Sequence, residues 1–430
     1  MNKLWGSMAG VTALTLVMVG CTPGGPTGGN EGSEDGQTVI RVSWWGADER
    51  HNMTTEAIAL FEEKNPDIKV EPEYTGFDSY WERLTTQAAG SNLPDVIQMD
   101  TSKLEQYISS ELVLDLNDLI EEGTINMDDV DDVYQEMNIK DGGTFAIAAG
   151  ANAFSTLYNE ALFEEYDINL EPGYTYDDLY EAMDKVSQGE GDNAWGFDFV
   201  KAEYEAFTHY ARQFEQHLYG EDGKLGFEDQ TLIDFLTMEK NMIDNGVSTP
   251  HDVTVEINDS GESMIANREA AMAVGASNGV IGIQPMSEDP IGVNVLPVAE
   301  GATSPGDWIR PSMSFSISAA SEQQEAAGKF IDFLTNDIEG NEILMAERGV
   351  PISTEVRTHL MDQVDESVAK TFEFLDIVGQ RAGEPEPLPP AGEAEVRASF
   401  NRMLEAVKYG DMTPEEGVEV FRSEAEQILG

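Results

Sequence analysis

Cysteine occurs once in these 430 residues, as Cys21, and cations are scarce: 24 Lys and Arg stand against 82 Asp and Glu. A sole cysteine excludes internal disulfides and cysteine-based zinc sites. A formal charge of −58 excludes the clustered Lys and Arg that nucleic acid and anionic lipid headgroups require, so no nucleic-acid partner is expected. Self-repulsion on that scale calls for screening, and the acidic surface points to a halophilic or alkaliphilic setting. The histidines are His51, His209, His217, His251 and His359, and none forms a His-Glu-x-x-His arrangement. No metal site and no cofactor is expected. The acidic runs "MDDVDDVYQE" and "YGEDGKLGFED" lack calcium-loop spacing and read as a solvated helix and a hairpin or loop.

Long apolar runs are also missing. Met8 to Val19 is an apolar run of twelve residues, too few to span a bilayer, behind Lys3 and ahead of Gly20-Cys21. Residues 1–20 read as a secretory signal peptide. Met18-Val19-Gly20 resembles a bacterial lipobox, with Met where Leu is usual, which implies lipidation of Cys21. Residues 21–37 then form the lipidated cysteine and a flexible tether with six glycines, reaching about 20 Å. The folded part is expected at the extracellular face of the cell membrane, lipid-anchored and monomeric.

What is present is enough apolar surface for cores: 40% hydrophobic residues and six tryptophans. The length suits two lobes. Val39, Ile40 and Val42, then "TTEAIALFEEKNP", then Ile68 and Val70 read as strand, helix, strand, a βαβ unit implying a parallel sheet. Ligands of such sheets sit beyond the carboxyl ends of the strands. The first turn, "WWGADERH", has no Gly-x-Gly-x-x-Gly, which disfavours a dinucleotide.

That turn joins aromatic faces to Asp48, Glu49, Arg50 and His51. Sugars present apolar C–H faces and hydroxyls, so flat aromatics beside planar polar groups suit them. The pairing recurs at Trp81, at Trp195 and at Trp308 beside Arg310. Adjacent strand residues point opposite ways, so of Trp44 and Trp45 one is expected in a cleft and the other in the core, with Trp45 the choice for the cleft.

"FEEKNPDIKV", "YWERLTTQAAGSNLPDVIQMD", "STLYNEALFEEYDI", "REAAMAVG", "EAAGKFIDFLTN" and "AERGVPIS", in that order, resemble the extracellular solute-binding proteins (family 1) of carbohydrate ABC importers. The resemblance covers about residues 38 to 430. It implies an α/β, two-lobed periplasmic-binding-protein fold of class II type, with Rossmann-like lobes joined by hinge crossovers. Residues 38–150 plus about 313–355 would make the N-terminal lobe, and 151–312 plus about 356–430 the C-terminal lobe. It places ligand contacts at Asp48, Glu49 and Arg50, at Asp100, Thr101 and Ser102, and at Asn152, with Tyr204, Ser277, Asn278, Trp308 and Arg310 on the far wall. Several relatives carry tryptophan after the glycine of "AMAVG"; Ala276-Ser277-Asn278 stands here.

"GASNG", Gly275 to Gly279, also matches the Gly-x-Ser-x-Gly nucleophile elbow, with Ser277 as nucleophile and His359 as base. An elbow must lead into a helix, and the prolines and strand-like alternation of "VIGIQPMSEDPIGV" argue against one. Paired carboxylates for glycoside cleavage are not singled out by any feature. Toward the carboxyl end, "GEPEPLPPAGE" (383–393) is a Pro-rich loop, followed by two amphipathic helices split at Gly410, the second capped by Thr413. The expectation is a non-enzymatic receptor that captures an oligosaccharide between lobes and passes it to ABC permease subunits. The alternatives are a receptor for a polyamine or peptide, or a secreted polysaccharide-degrading hydrolase. Arg50, Arg310 and Arg381 leave an acidic sugar open.

Overall fold

Thr38–Trp45 forms strand β1, the helix Asp48–Lys64 returns over it, and Ile68–Thr75 forms β2, parallel to β1 with Thr38 opposite Ile68 and Trp45 opposite Thr75. The computed structural model describes residues 36–189, 195–199, 202–220, 222–260 and 263–430. The residues read above as a signal peptide, Cys21 and nearly all of the expected tether lie outside them. Alternation puts Ile40, Val42 and Trp44 on one face of β1, fully buried against Ala57, Ile58 and Phe61 of the helix. This is the βαβ unit that the sequence predicts.

β3 (Val96–Met99) joins the other edge of β1 in parallel, and Ile139–Lys140 (β4) and Gly143–Thr144 (β5) make a small hairpin apart from the sheet. The long β6 (Ile147–Asn159) follows, then β7 (Trp195–Asp198), β8 (Ala270–Ala276), β9 (Ile291–Asn294) and β10 (Ile309–Ile317). The sheet order is β2-β1-β3-β10-β6-β8-β7, with β9 pairing β6. It is mixed, because β10 runs antiparallel to both β3 and β6 and only β1–β2, β1–β3 and β7–β8 are parallel.

β6 is the spine. Ile147 to Ala153 pair with β10, whereas Phe154 to Asn159 pair with β8 and β9, so one strand serves two portions of sheet. β10 is irregular between Pro311 and Ser314, where Pro311 has no N–H to give the ladder. The chain returns to β6 at Val350, whose backbone exchanges hydrogen bonds of 2.8 and 3.0 Å with Ala151. A Cβ on neighbouring Gly150 would stand 2.6 Å from the Arg348 carbonyl oxygen and 2.9 Å from backbone carbon of Gly349. Gly150→Ala should therefore destabilise by about 1–3 kcal/mol, seen as a lower denaturation midpoint; an unchanged midpoint would show that this crossing gives way freely.

Gly279–Ile283 is a short helix continued by a 3₁₀ turn at Gln284–Met286, where the sequence suggested strand-like alternation. Pro285 lies at the start of that turn, where its missing N–H costs nothing. The last two helices, Glu393–Lys408 and Pro414–Leu429, pack on each other across Gly410 at φ 77°, and Thr413 with Glu416 forms a capping box. No described helix is long and apolar enough to cross a membrane.

Candidate ligand-binding cleft

Met99 ends β3, and Asp100 caps the helix Thr101–Ser109 by accepting from the Ser102 N–H at 2.9 Å and the Ser102 hydroxyl at 2.6 Å. These residues open one wall of a cleft of about 290 Å³. Phe154, at the point where β6 changes partners, and Trp308 to Ser312, at the start of β10, form its floor. The opposite wall comes from Tyr204, Glu205 and Thr208 on the helix Glu203–Arg212, with Leu218 and Tyr219 beyond it. Pro385 to Pro389 and the first turns of the helix Glu393–Lys408, with Glu393 and Arg397, complete it.

Trp308 is fixed by its neighbours. Its ring lies 5.8 Å from that of Phe154, with the Arg212 guanidinium 5.0 Å from its centroid. Asp307 beside it accepts from Arg381 Nε at 2.6 Å and pairs with His209 Nε2 at 3.3 Å. Burial works against ionisation of Asp307, yet His209 and Arg381 hold its carboxyl below the usual range. The Pro-rich loop is tied down by the same group: Gly383 N–H donates to the Asp307 carbonyl at 3.0 Å, and Glu386 is held by Arg212 and by His217 Nδ1, the latter at 2.9 Å. Leu388, from the same loop, packs against the apolar cluster of Trp45, Tyr80 and Trp81.

The cleft carries both signs of charge, and most of it is neutralised locally. Arg397 lies 3.9 Å over the Tyr204 ring, donating from Nε to Glu393 at 2.9 Å and from Nη1 to Glu205 at 2.7 Å. Arg310 lies 4.2 Å over Phe154, and its Nε donates to Asn152 Oδ1 at 2.9 Å. Burial lowers the pKa of Arg310.

Of the residues expected at the site, Asp100, Thr101, Ser102, Tyr204, Trp308 and Arg310 line this cleft, and Asn152 stands behind Arg310. The others are placed elsewhere. Asp48, Glu49, Arg50 and His51 form the first turn of the helix Asp48–Lys64 rather than a loop. The two acids sit at its positive end, and Arg50 is taken up by Glu347 at 2.8 Å and by the Trp45 carbonyl. Trp44 is fully buried, its indole N–H donating to His51 Nδ1 at 3.1 Å. Trp45 is 8% exposed and packs edge-on against Phe77 and Tyr80, with Trp81 5.8 Å away in the same cluster. Trp195 begins β7, outside the cleft lining.

Ser277 is buried, its hydroxyl accepting from Ala153 N–H at 3.3 Å, and Asn278 next to it is exposed. The strand-to-helix context of an elbow is thus present, contrary to the sequence expectation, but the constellation is not. His359 lies exposed with Nε2 2.7 Å from Glu342, so Ser277 and His359 each have other partners. Among the described residues no three His, Cys, Asp or Glu converge to hold a metal.

Sequence reasoning missed Phe154, Tyr219, Asn138, Glu205, Arg397 and the Pro-rich loop as cleft residues. Only the loop carried a signal, its four prolines, which mark a stiff segment without naming what it covers.

Residues 48–340 match the family model described as bacterial extracellular solute-binding protein. A Brucella abortus sequence named as a binding protein is 24% identical over 281 residues, 64% of this chain and 66% of that one, just under two thirds of its length. Among solved structures, a family 1 extracellular solute-binding protein from Alicyclobacillus acidocaldarius is 28% identical with a TM-score of 0.79, covering 92% of this chain and 100% of that chain. A periplasmic oligogalacturonide binding protein from Yersinia enterocolitica is 24% identical with a TM-score of 0.76, covering 91% and 99%. A family match over residues 48–340 and a shared fold over 92% of the chain lead to one conclusion: this chain belongs to the bacterial extracellular solute-binding proteins.

Proposed function

We propose that this protein is the receptor of an ABC importer, capturing an oligosaccharide in the cleft and handing it intact to the permease subunits. The observation that carries this reading is the lining itself. Phe154, Tyr204, Tyr219 and Trp308 supply aromatic surface, and Asp100, Thr101, Ser102 and Arg310 supply planar and hydroxyl groups around it. The two portions of sheet served by β6 are the proposed lobes, 38–150 with about 313–355 and 151–312 with about 356–430, closing by a hinge at the strands that cross between them. Lipidation of Cys21 would hold the monomer at the outer face of the membrane. The Yersinia neighbour's name supports a saccharide ligand. A polyamine is disfavoured, because Glu205, Glu393 and Glu386 already spend their charge on Arg397, Arg212 and His217.

Thermal unfolding of the purified protein in high salt, against oligosaccharides, polyamines and peptides, tests the reading. A ligand at about 100 times its Kd adds about 2.7 kcal/mol to the native state and should raise the midpoint visibly. A rise with an oligosaccharide recovered uncleaved is expected. A rise only with a polyamine or peptide, or cleavage of the saccharide, overturns it.

A further inference from the structure

Arginine is a limited resource in this chain, and nearly all of it is committed. Among the described residues, only Arg83 and Arg310 have no carboxylate partner in an ion pair. Arg83 donates to Ser43 Oγ at 3.2 Å, away from the cleft. Arg310 lies in the cleft floor. Its backbone pairs with Asn152 in the sheet, its guanidinium is stacked on Phe154, and its Nε is spent on Asn152 Oδ1. Nη1 and Nη2 have no hydrogen-bond partner among the described residues. A guanidinium locked by a strand, a stacking ring and one hydrogen bond has little orientation left to lose. Its open edge offers two parallel N–H donors, the fork that a carboxylate meets bidentately.

Among the described residues no carboxylate pairs with it. Glu205 and Glu393 are held by Arg397, Glu386 by Arg212 and His217, and Asp100 Oδ1 caps its own helix. A second lining residue is unsatisfied in the complementary sense. Asn138 is buried, and its Nδ2 donates to Ser314 Oγ at 2.9 Å and to the Ala146 carbonyl at 3.3 Å. That carbonyl can only accept, which fixes the amide orientation and leaves Oδ1 buried with no donor among the described residues. The backbone of Asn138 also sits at φ 60°, a left-handed conformation that a non-glycine residue holds at a cost. The lining therefore wants an anion at Arg310 and a hydroxyl-type donor at Asn138.

We propose that Arg310 forms a carboxylate subsite in this cleft, so that the captured ligand is an acidic saccharide of the uronate class, carrying carboxylate and hydroxyls on one ring. This rests on the receptor reading above and narrows its ligand. A neutral sugar satisfies Asn138 but leaves the guanidinium without an anion; a polyamine is repelled by it.

The test is calorimetric binding of α-1,4-digalacturonate, a glucuronate-containing disaccharide, the methyl ester of digalacturonate, neutral maltose and cellobiose, and spermidine to the full chain. An acid is expected to bind about 10- to 100-fold more tightly than its own ester, whose shape is nearly the same and whose charge is gone. Arg310→Met should bring the acid down toward the affinity of the ester, and Arg310→Lys, which keeps charge without the fork, should fall between. Equal affinity for acid and ester overturns the proposal, and so does an acid affinity untouched in Arg310→Met. The acid-to-ester ratio in the unaltered protein decides the question even if the variants fold poorly. Binding of neutral saccharides alone overturns the carboxylate subsite and leaves the receptor standing, whereas binding of spermidine alone overturns both.

Discussion

Lys408→Met is expected to destabilise the protein by about 3–5 kcal/mol at pH 8, with the loss shrinking as pH is lowered toward 4. Lys408 ends the helix Glu393–Lys408 and is 6% exposed at its side chain, paired with Glu203 of the helix Glu203–Arg212 and 2.7 Å from Glu239 of the helix Asp229–Asp244. Glu239 is almost wholly buried, and its contact with Lys408 is an ion pair without hydrogen-bond alignment. Removing the ammonium leaves two buried carboxylates facing each other. Both then resist ionisation, and the folded state must either hold protons or give up the site.

The pH dependence of the unaltered protein already contains part of this. Burial pushes Glu239 up to about 7, with Lys408 pulling it back and Glu203 adding repulsion. The folded state therefore keeps a proton that an unfolded chain releases near its ordinary value of about 4.3. The share of stability from Glu239 is full below that value and is lost as pH rises toward 7. Burial opposes the charge on Lys408, yet Glu239 and Glu203 hold it above the usual lysine value, so its share persists until strongly alkaline pH. Glu239→Gln should remove the decline between about pH 4.5 and 7 while keeping the Lys408–Glu203 pair. Urea denaturation across pH 4 to 9 measures all three proteins; a pH-independent deficit in Lys408→Met would show that packing, and not charge, is what the lysine supplies.

Trp44→Ala should cost about 3–5 kcal/mol. The indole is fully buried between β1 and the helix Asp48–Lys64, with Tyr74 5.0 Å away and His51 stacked on Tyr74 at 4.4 Å. Truncation opens a cavity and strips His51 Nδ1 of its donor, which Trp44→Phe isolates at about 1 kcal/mol. His51 accepts at Nδ1, and burial is the first reason its pKa is lowered. Its share of stability is thus present above about pH 6.5 and lost as pH falls through the lowered value. The readout is the urea midpoint at constant slope, with His51 followed by imidazole titration in NMR. A loss under about 1 kcal/mol for Trp44→Ala would mean that the surrounding side chains collapse into the gap.

The sequence by itself determined what depends on neighbours along the chain. Period-two alternation and helical spacing set out β1, the helix Asp48–Lys64 and β2, and Thr413 marked the start of the last helix. The order of six motifs carried the family, and the expectation that ligands gather beyond strand carboxyl ends pointed to the end of β3, which lines the cleft. Only the tertiary structure decided which aromatics meet the cleft. Trp44 and Trp45 look equivalent in sequence, yet one enters the main core and the other a cluster closed by Leu388, nearly 350 residues later. Charge was equally illegible. Arg50, Arg310 and Arg381 are alike in sequence, but Glu347 and Asp307 fold back onto the first and last and leave Arg310 with an open edge. The physical reason is common to both: a side chain's exposure and pairing depend on which distant segment packs against it, and local spacing holds no information about that partner.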